Sequence, residues 1–194
     1  MIYDYHILFA VTSIFFQIFS YGPYLRDIFR GTTKPHPFTW LIWGLINVIA
    51  FFAQLAEGGG AGAWVTAIVA TTCLFVAVLA FMRGERHIVT IDWICFFGAL
   101  AGIVLWRVTD NPFLAILLVT LTDALAFVPT FRKTFFKPNE ETASAWIIGA
   151  IGFLFQIVAF ETLNLTTVLY PAFIAAANTS LVAMILIRRR QLKA

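Results

Sequence analysis

The sequence predicts an all-α membrane protein: seven transmembrane helices, in two parallel three-helix repeats joined by a linker helix. Three observations predict it. Hydrophobic residues make up 61% of the 194 positions and charged residues 12%, whereas a soluble domain is about a quarter charged; most of the apolar surface must therefore face lipid. The apolar residues fall into seven runs, each near the ~20 residues that a helix needs to cross a bilayer. The chain also repeats at an offset of 106 residues: Pro23 falls on Pro129, Arg26 on Arg132, Trp40 on Trp146, Ile68 on Ile174 and Arg83 on Arg189, with no gap from Gln17 to Gly84. Two copies of one hydrophobic unit are the mark of transporter folds that hold their site between the halves.

The first run, 6–29, is preceded by Asp4 and His6 and by no basic segment, so it reads as a span and not as a cleaved signal. The second, 38–56, follows the break GTTKPHP, and Pro37 suits a first helical turn. The third, 63–82, follows EGGGAG, where Gly58, Gly59 and Gly60 make a flexible turn. The fourth, 89–106, follows RGERH; Asp92 complements the positive end of a helix there. The fifth, 113–136, follows RVTDNP and contains Asp123 and Pro129. The sixth, 143–160, follows KPNEET, whose Asn139, Glu140 and Glu141 suit a helix N-terminus; Gly149 and Gly152 permit close helix packing. The seventh, 165–187, follows ETLN and ends in three arginines.

Basic residues orient the spans. Twelve, including Arg26, Lys34, Arg86, Lys133, Arg188 and Lys193, fall at one side, and only Arg107 falls at the other. The N-terminus is therefore expected outside and the C-terminus in the cytoplasm, in a plasma (inner) membrane. Runs 1–3 match runs 5–7 and run 4 has no partner, so the copies insert with the same orientation. The divisions are 1–84 for the first repeat, 85–108 for the linker helix, and 109–194 for the second repeat and tail.

Asp123 is the sharpest candidate for chemistry. An ionisable group near the middle of a span is costly unless paired, hydrated or protonated, and its counterpart in the first repeat is Gln17, also polar. Two such positions suggest a shared central cavity. Asp123 reads as a proton- or cation-binding carboxylate or as a ligand for a polar solute; a tie between helices is the plainer reading. Asn178 sits among small residues that leave room for a ligand. Trp43 and Asn47 share a face of the second span, where an aromatic ring and an amide suit a planar or sugar-like solute. Trp40 and Trp146 read as interfacial anchors, as does Trp93. Gln54 and Gln156 read as solvated outer-end residues. Pro23 and Pro129 each free a backbone carbonyl and bend a span, so they are candidate paired gates. His6, His36 and His87 read as lying outside the core without metal-ligand spacing. Cys73 and Cys95 read as packing thiols. No catalytic, metal or cofactor motif is expected, and the net charge of +3 gives no footing for nucleic acid.

The segments YGPYLRDIFRGTTKPHPFTW and FVPTFRKTFFKPNEETASAW carry a resemblance. Each has a proline late in the first helix of its repeat, a short basic loop, and a helix opening with aromatic residues. In this the chain resembles the SWEET and PQ-loop superfamily, with Tyr24 and Thr130 at the place of the family's glutamine. The resemblance implies a 3+1+3 membrane transporter, and a solute-binding role for Asn178 with Thr72 at the matching position. Trp40 and Trp43 in TWLIW also resemble a signature of the nicotinamide riboside transporters on this fold.

The expected function is transport of a small polar solute by alternating access between two three-helix bundles, with Asp123 available for proton coupling. The alternatives are a vitamin or nucleoside facilitator of the nicotinamide riboside type, or a non-transporting receptor or scaffold. The expected partners are the solute, protons and the lipid bilayer.

Overall fold

Helices form where the apolar runs fall. The computed structural model describes residues 5–108 and 111–192; Asp4, Lys193 and the side chain of Arg107 lie outside the described residues. The elements are α1 (Tyr5–Phe29), α2 (Pro37–Ala56), α3 (Gly60–Arg83), α4 (Thr90–Arg107), α5 (Pro112–Phe136), α6 (Ala143–Ala159) and α7 (Leu165–Gln191), with a single 3₁₀ turn at Pro138–Glu140. No strand occurs among the described residues. By length and composition α1, α2, α3 and α7 can each cross a membrane, while α6 and Thr90–Leu105 of α4 are shorter apolar helices.

Local chemistry sets the helix ends. Asn111 caps α5 by accepting from the Phe113 and Leu114 amides at 2.9 and 3.1 Å. Asn164 and Thr167 form a reciprocal capping box at the start of α7, which satisfies two otherwise orphaned donors. Between α2 and α3, Gly58 and Gly60 take φ of 70° and 53°, a backbone region that favours glycine.

Six helices close a ring. α1 packs on α3, α3 on α2, α2 on α5, α5 on α7, α7 on α6, and α6 returns to α1. α4 stands outside the ring, against α5 and more lightly α2. Contacts along the seams fix the directions. Ser13 meets Gly152 and Asp27 meets Thr142, so α1 and α6 are antiparallel. Thr39 meets Thr130 and Trp43 meets Phe127, so α2 and α5 are too. Tyr21 meets Cys73 and Phe29 meets Arg83, so α1 and α3 run together.

The ring turns apolar side chains outward on every helix, including the shorter ones: Phe15 on α1, Ile94 on α4 and Leu154 on α6 are more than half exposed. Such a surface suits lipid and not water. Glycine sets the closest approach of α1 to α6. A Cβ on Gly152 would lie 2.9 Å from Gln17 Nε2 and 3.2 Å from Phe16 Cβ, so a side chain there must displace the Gln17 amide and press on Phe16.

Candidate functional site

The ring surrounds a central cavity. Its walls are Gln17, Ser20, Tyr21 and Tyr24 of α1; Trp40, Trp43 and Asn47 of α2; Val69 and Cys73 of α3; Asp123 and Phe127 of α5; Ala145, Trp146, Gly149 and Phe153 of α6; and Tyr170, Ile174 and Asn178 of α7. On each helix these residues recur at three or four positions, so each helix presents a single face to the cavity. The cavity leaves about 60 Å³ for the centres of water molecules. One water needs roughly 10–15 Å³ on that measure, so a few waters fit and a larger solute requires an end to open.

Seven buried side-chain atoms on these walls lack a hydrogen-bond partner: Gln17 Nε2, Tyr24 Oη, Trp43 Nε1, Asn47 Oδ1, Asp123 Oδ2, Tyr170 Oη and Asn178 Oδ1. A buried polar atom left unpaired costs about 1–3 kcal/mol, and most such atoms in folded proteins are paired. Their concentration in one cavity marks a place that water or a ligand must satisfy. Asn47 shows how an orientation is set: its Nδ2 donates to the Trp43 carbonyl at 2.8 Å, which leaves its oxygen for the cavity. Asp123 is 1% exposed, and no Lys, Arg or His is among the described lining residues. Tyr170 lies close enough to feel the charge of Asp123, with Cys73 and Asn47 beside it.

Gln17, Trp43, Asn47, Asp123 and Asn178, five residues singled out from the sequence, thus come together. Thr72 does not join them. Its hydroxyl donates to the Ile68 carbonyl of its own helix at 2.8 Å, and the neighbouring Cys73 lines the cavity instead. Pro23 and Pro129 lie inside α1 and α5 and outside the lining set. Each immediately precedes a buried residue. Tyr24 is on the wall, and Thr130 donates to Thr39 Oγ1 at 3.1 Å. Thr39 in turn donates to the Ala126 carbonyl at 2.8 Å, one residue past the carbonyl that Pro129 leaves without its helical donor.

Several expectations are corrected by burial. Trp40 and Trp146, read as interfacial anchors, are 4% and 7% exposed and pack against each other across the cavity with ring centroids 6.2 Å apart. Gln54 and Gln156, read as solvated, are buried at the opposite end from the basic loops. There Thr66 donates to Gln54 Oε1 at 2.6 Å, and Gln156 Nε2 donates to Thr66 Oγ1 at 2.7 Å and to the Gly62 carbonyl at 3.2 Å. Phe160 lies buried against Gly62 beside them. His36, read as outside the core, is 1% exposed and 3.4 Å from Asp92. Burial lowers its pKa despite the carboxylate nearby.

The basic end is closed by ion pairs, and the acidic residues read as helix-end charges belong to them. Lys133, 2% exposed, donates to the carbonyls of Lys34 and Glu140 at 2.8 and 2.9 Å and to the Glu141 carboxylate. The other Glu141 oxygen accepts from Trp146 Nε1 at 3.1 Å, which ties the closure to the cavity wall. Lys34 pairs with Glu140 at 3.0 Å. Asp92 accepts two bonds from Arg132, at 2.9 and 2.6 Å, as well as one from the Val89 amide at 3.0 Å. Glu85 pairs with Lys137 at 2.8 Å. Burial pushes the Glu85 carboxyl up, but Lys137 and the His87 and Arg86 amides outweigh it and hold the pKa down at about 2.

Sequence reasoning missed Tyr21, Tyr24, Phe127, Phe153 and Tyr170 on the walls and Lys133 in the closure. A signal existed for some: Tyr21 and Tyr24 follow Gln17 at i+4 and i+7, and Phe127 follows Asp123 at i+4, on the same helix faces. No family model, no curated protein and no solved structure matches the chain.

Proposed function

We propose that this chain transports a small solute across a membrane by alternating access. All seven helices would span the membrane, α1–α3 and α5–α7 forming parallel repeats about an axis along its normal, with α4 as the linker. The single observation that carries the reading is the set of seven unpartnered polar atoms gathered in one cavity within the ring. A scaffold has no use for such a cost, whereas a binding site fills it with cargo.

Pseudo-symmetry supports the arrangement. Five pairs of wall residues stand 106 positions apart: Gln17 and Asp123, Tyr21 and Phe127, Trp40 and Trp146, Trp43 and Gly149, Asn47 and Phe153. Residues at equivalent positions that touch must lie near the axis relating them. Trp40 touches Trp146, and Lys34 pairs with Glu140, also 106 apart. The axis would therefore run through the cavity and out through the closed basic end. The seams between repeats also correspond, α1 with α6 and α2 with α5. The resemblance to the SWEET and PQ-loop superfamily is in accord with this arrangement.

In this reading the structure is a state occluded at both ends. The Lys133–Glu141 and Lys34–Glu140 pairs form the cytoplasmic gate, and Gln54, Thr66 and Gln156 form the outer one. Pro23 and Pro129 supply bends on which the repeats rock. Asp123 is the residue through which protons would couple, and Tyr170, Cys73, Tyr21 and Tyr24 are the titratable groups that share its cavity. Uptake of candidate solutes into proteoliposomes tests the proposal. Saturable flux that Asp123→Asn, Asn178→Ala or Asn47→Ala weakens is expected. Absence of flux for every class of small polar solute, with the protein folded, would leave the receptor or scaffold reading.

A further inference from the structure

Resting on that reading of the cavity, we infer that the cargo is a small monovalent organic cation, which takes the place of the proton on Asp123. Three features carry the inference. First, Asp123 is the only charged group among the described wall residues, and the basic residues that follow it on its helix, Arg132 and Lys133, are already paired with Asp92 and Glu141. An ionised Asp123 therefore has no counter-charge among the described wall residues, and a carboxylate buried this way requires a proton or a cation.

Second, eight of the described wall residues are aromatic, three of them tryptophans. Trp40, Trp43 and Trp146 pack edge-on or tilted against one another with centroids 5.1 to 6.2 Å apart, and Tyr24 joins them at 5.1 Å from Trp40. Ring faces around a desolvated space attract a cation through their quadrupoles. They offer nothing comparable to an anion. Third, the unpartnered atoms are mostly able to accept. The oxygens of Asn47, Asn178 and Asp123 are acceptors, and the two tyrosine hydroxyls can accept, against two donors, Gln17 Nε2 and Trp43 Nε1. A donor-bearing cation satisfies that set and supplies the charge that Asp123 lacks.

The exchange balances without a further reactant. The neutral carboxyl releases its proton to water as the cation arrives, and takes one back as the cation leaves. The other titratable groups facing Asp123 are Tyr170 from α7, Cys73 from α3 and Tyr21 and Tyr24 from α1; α2, which also packs on α5, presents only Trp40, Trp43 and Asn47 to the cavity.

The test titrates purified protein with choline, with N-methylpyridinium, and with 3,3-dimethylbutan-1-ol, the uncharged isostere of choline. Melting temperature and tryptophan fluorescence are the readouts. Both cations are expected to stabilise the fold and change the fluorescence, with choline binding at least roughly tenfold tighter than its isostere, and with cation affinity falling as pH is lowered. Asp123→Asn should bring choline down to the level of the isostere. Equal binding of choline and the isostere, failure of both cations to bind, or a preference that survives Asp123→Asn would overturn the inference. The wild-type comparison decides the matter even if the variant folds poorly. Cation binding without flux in proteoliposomes would overturn transport and leave the cargo class; flux of an uncharged solute without cation binding would do the reverse.

Discussion

The Lys133 and Glu141 side chains are both buried in their ion pair, and at this scale the energetics are dominated by what happens when one partner is lost. Glu141→Gln would leave a buried ammonium with neutral acceptors alone, the Lys34 and Glu140 carbonyls and the new amide oxygen, and removing the charge of one member of a buried pair costs up to about 3–5 kcal/mol. A clear drop in melting temperature is expected. Lys133→Met with Glu141→Leu should recover most of it, because an apolar pair leaves no charge stranded; a double variant no more stable than Glu141→Gln would show that the Trp146 and carbonyl contacts, and not the charges, hold the closure. Glu85 gives a second prediction, with a defined pH window. Its carboxyl is held at about 2 against 4.5 for a free glutamate, so the folded state binds fewer protons than the unfolded one. The stability it contributes is complete above 4.5 and fades as pH falls from there through about 2. Wild type and Glu85→Gln, melted across that range, should differ most near neutrality and converge at the acid end; a constant gap would sink the assignment. The polar wall residues were legible in the sequence because an aspartate or amide inside a span stands out against apolar neighbours. Tyr24 and Tyr170 were not, since an aromatic residue in a span looks the same whether it faces lipid or a cavity. His36 and Lys133 were hidden for a different reason: their partners Asp92 and Glu141 lie on other elements, and burial at a loop is a property of the assembled end.

Element boundaries were legible almost throughout, because in lipid each helix must satisfy its own backbone and therefore runs the length of its apolar stretch. The expected run 38–56 became Pro37–Ala56, and 113–136 became Pro112–Phe136. The order of packing was not legible. Nothing in the apolar pattern says that α1 packs against α6, because a lipid-facing and a helix-facing leucine are equivalent by hydropathy. Glycine gave the partial exception. Gly149 and Gly152 were expected to permit close packing, and their two environments separate packing from binding. A Cβ at Gly149 would meet Asn178 Nδ2 at 3.5 Å and Ser20 Oγ at 3.9 Å, ordinary contacts, while one at Gly152 would press on Gln17 and Phe16. Gly149→Ala should therefore fold at least as well as wild type, gaining up to about 1 kcal/mol of helix propensity, yet weaken solute binding because the methyl enters the cavity. Gly152→Val should lower the melting temperature by separating α1 from α6. Equal binding in Gly149→Ala and wild type would mean that the solute does not approach the α6 backbone.

In the proposed arrangement the two repeats meet on an axis where Trp40 touches Trp146 and Lys34 pairs with Glu140. Trp43 in the first repeat corresponds to Gly149 in the second, and Asn47 to Phe153, so one half of the cavity is filled where the other is open. On the proposed symmetry, two equivalent repeats would carry an asymmetric site with a single carboxylate. At the basic end the same axis brings together Lys34 and Glu140, equivalent in position and opposite in charge. Like residues at such a contact would repel or stack, whereas opposite charges form a latch that can open in water at little cost, since the pair is partly exposed and exposed pairs contribute only about 0–1 kcal/mol. If the two repeats part at this end during transport, fastening these positions must stop it. Lys34→Cys with Glu140→Cys, in a background lacking Cys73 and Cys95, should cross-link under mild oxidation. In proteoliposomes the oxidised protein is expected to lose flux, and reductant to restore it, while the cavity still binds solute from the opposite side. Each single cysteine should keep nearly wild-type flux in either redox state. Full transport by the cross-linked protein would mean that the basic end stays shut throughout the cycle, and the two-bundle rocking motion would then be wrong even with the cavity correctly assigned.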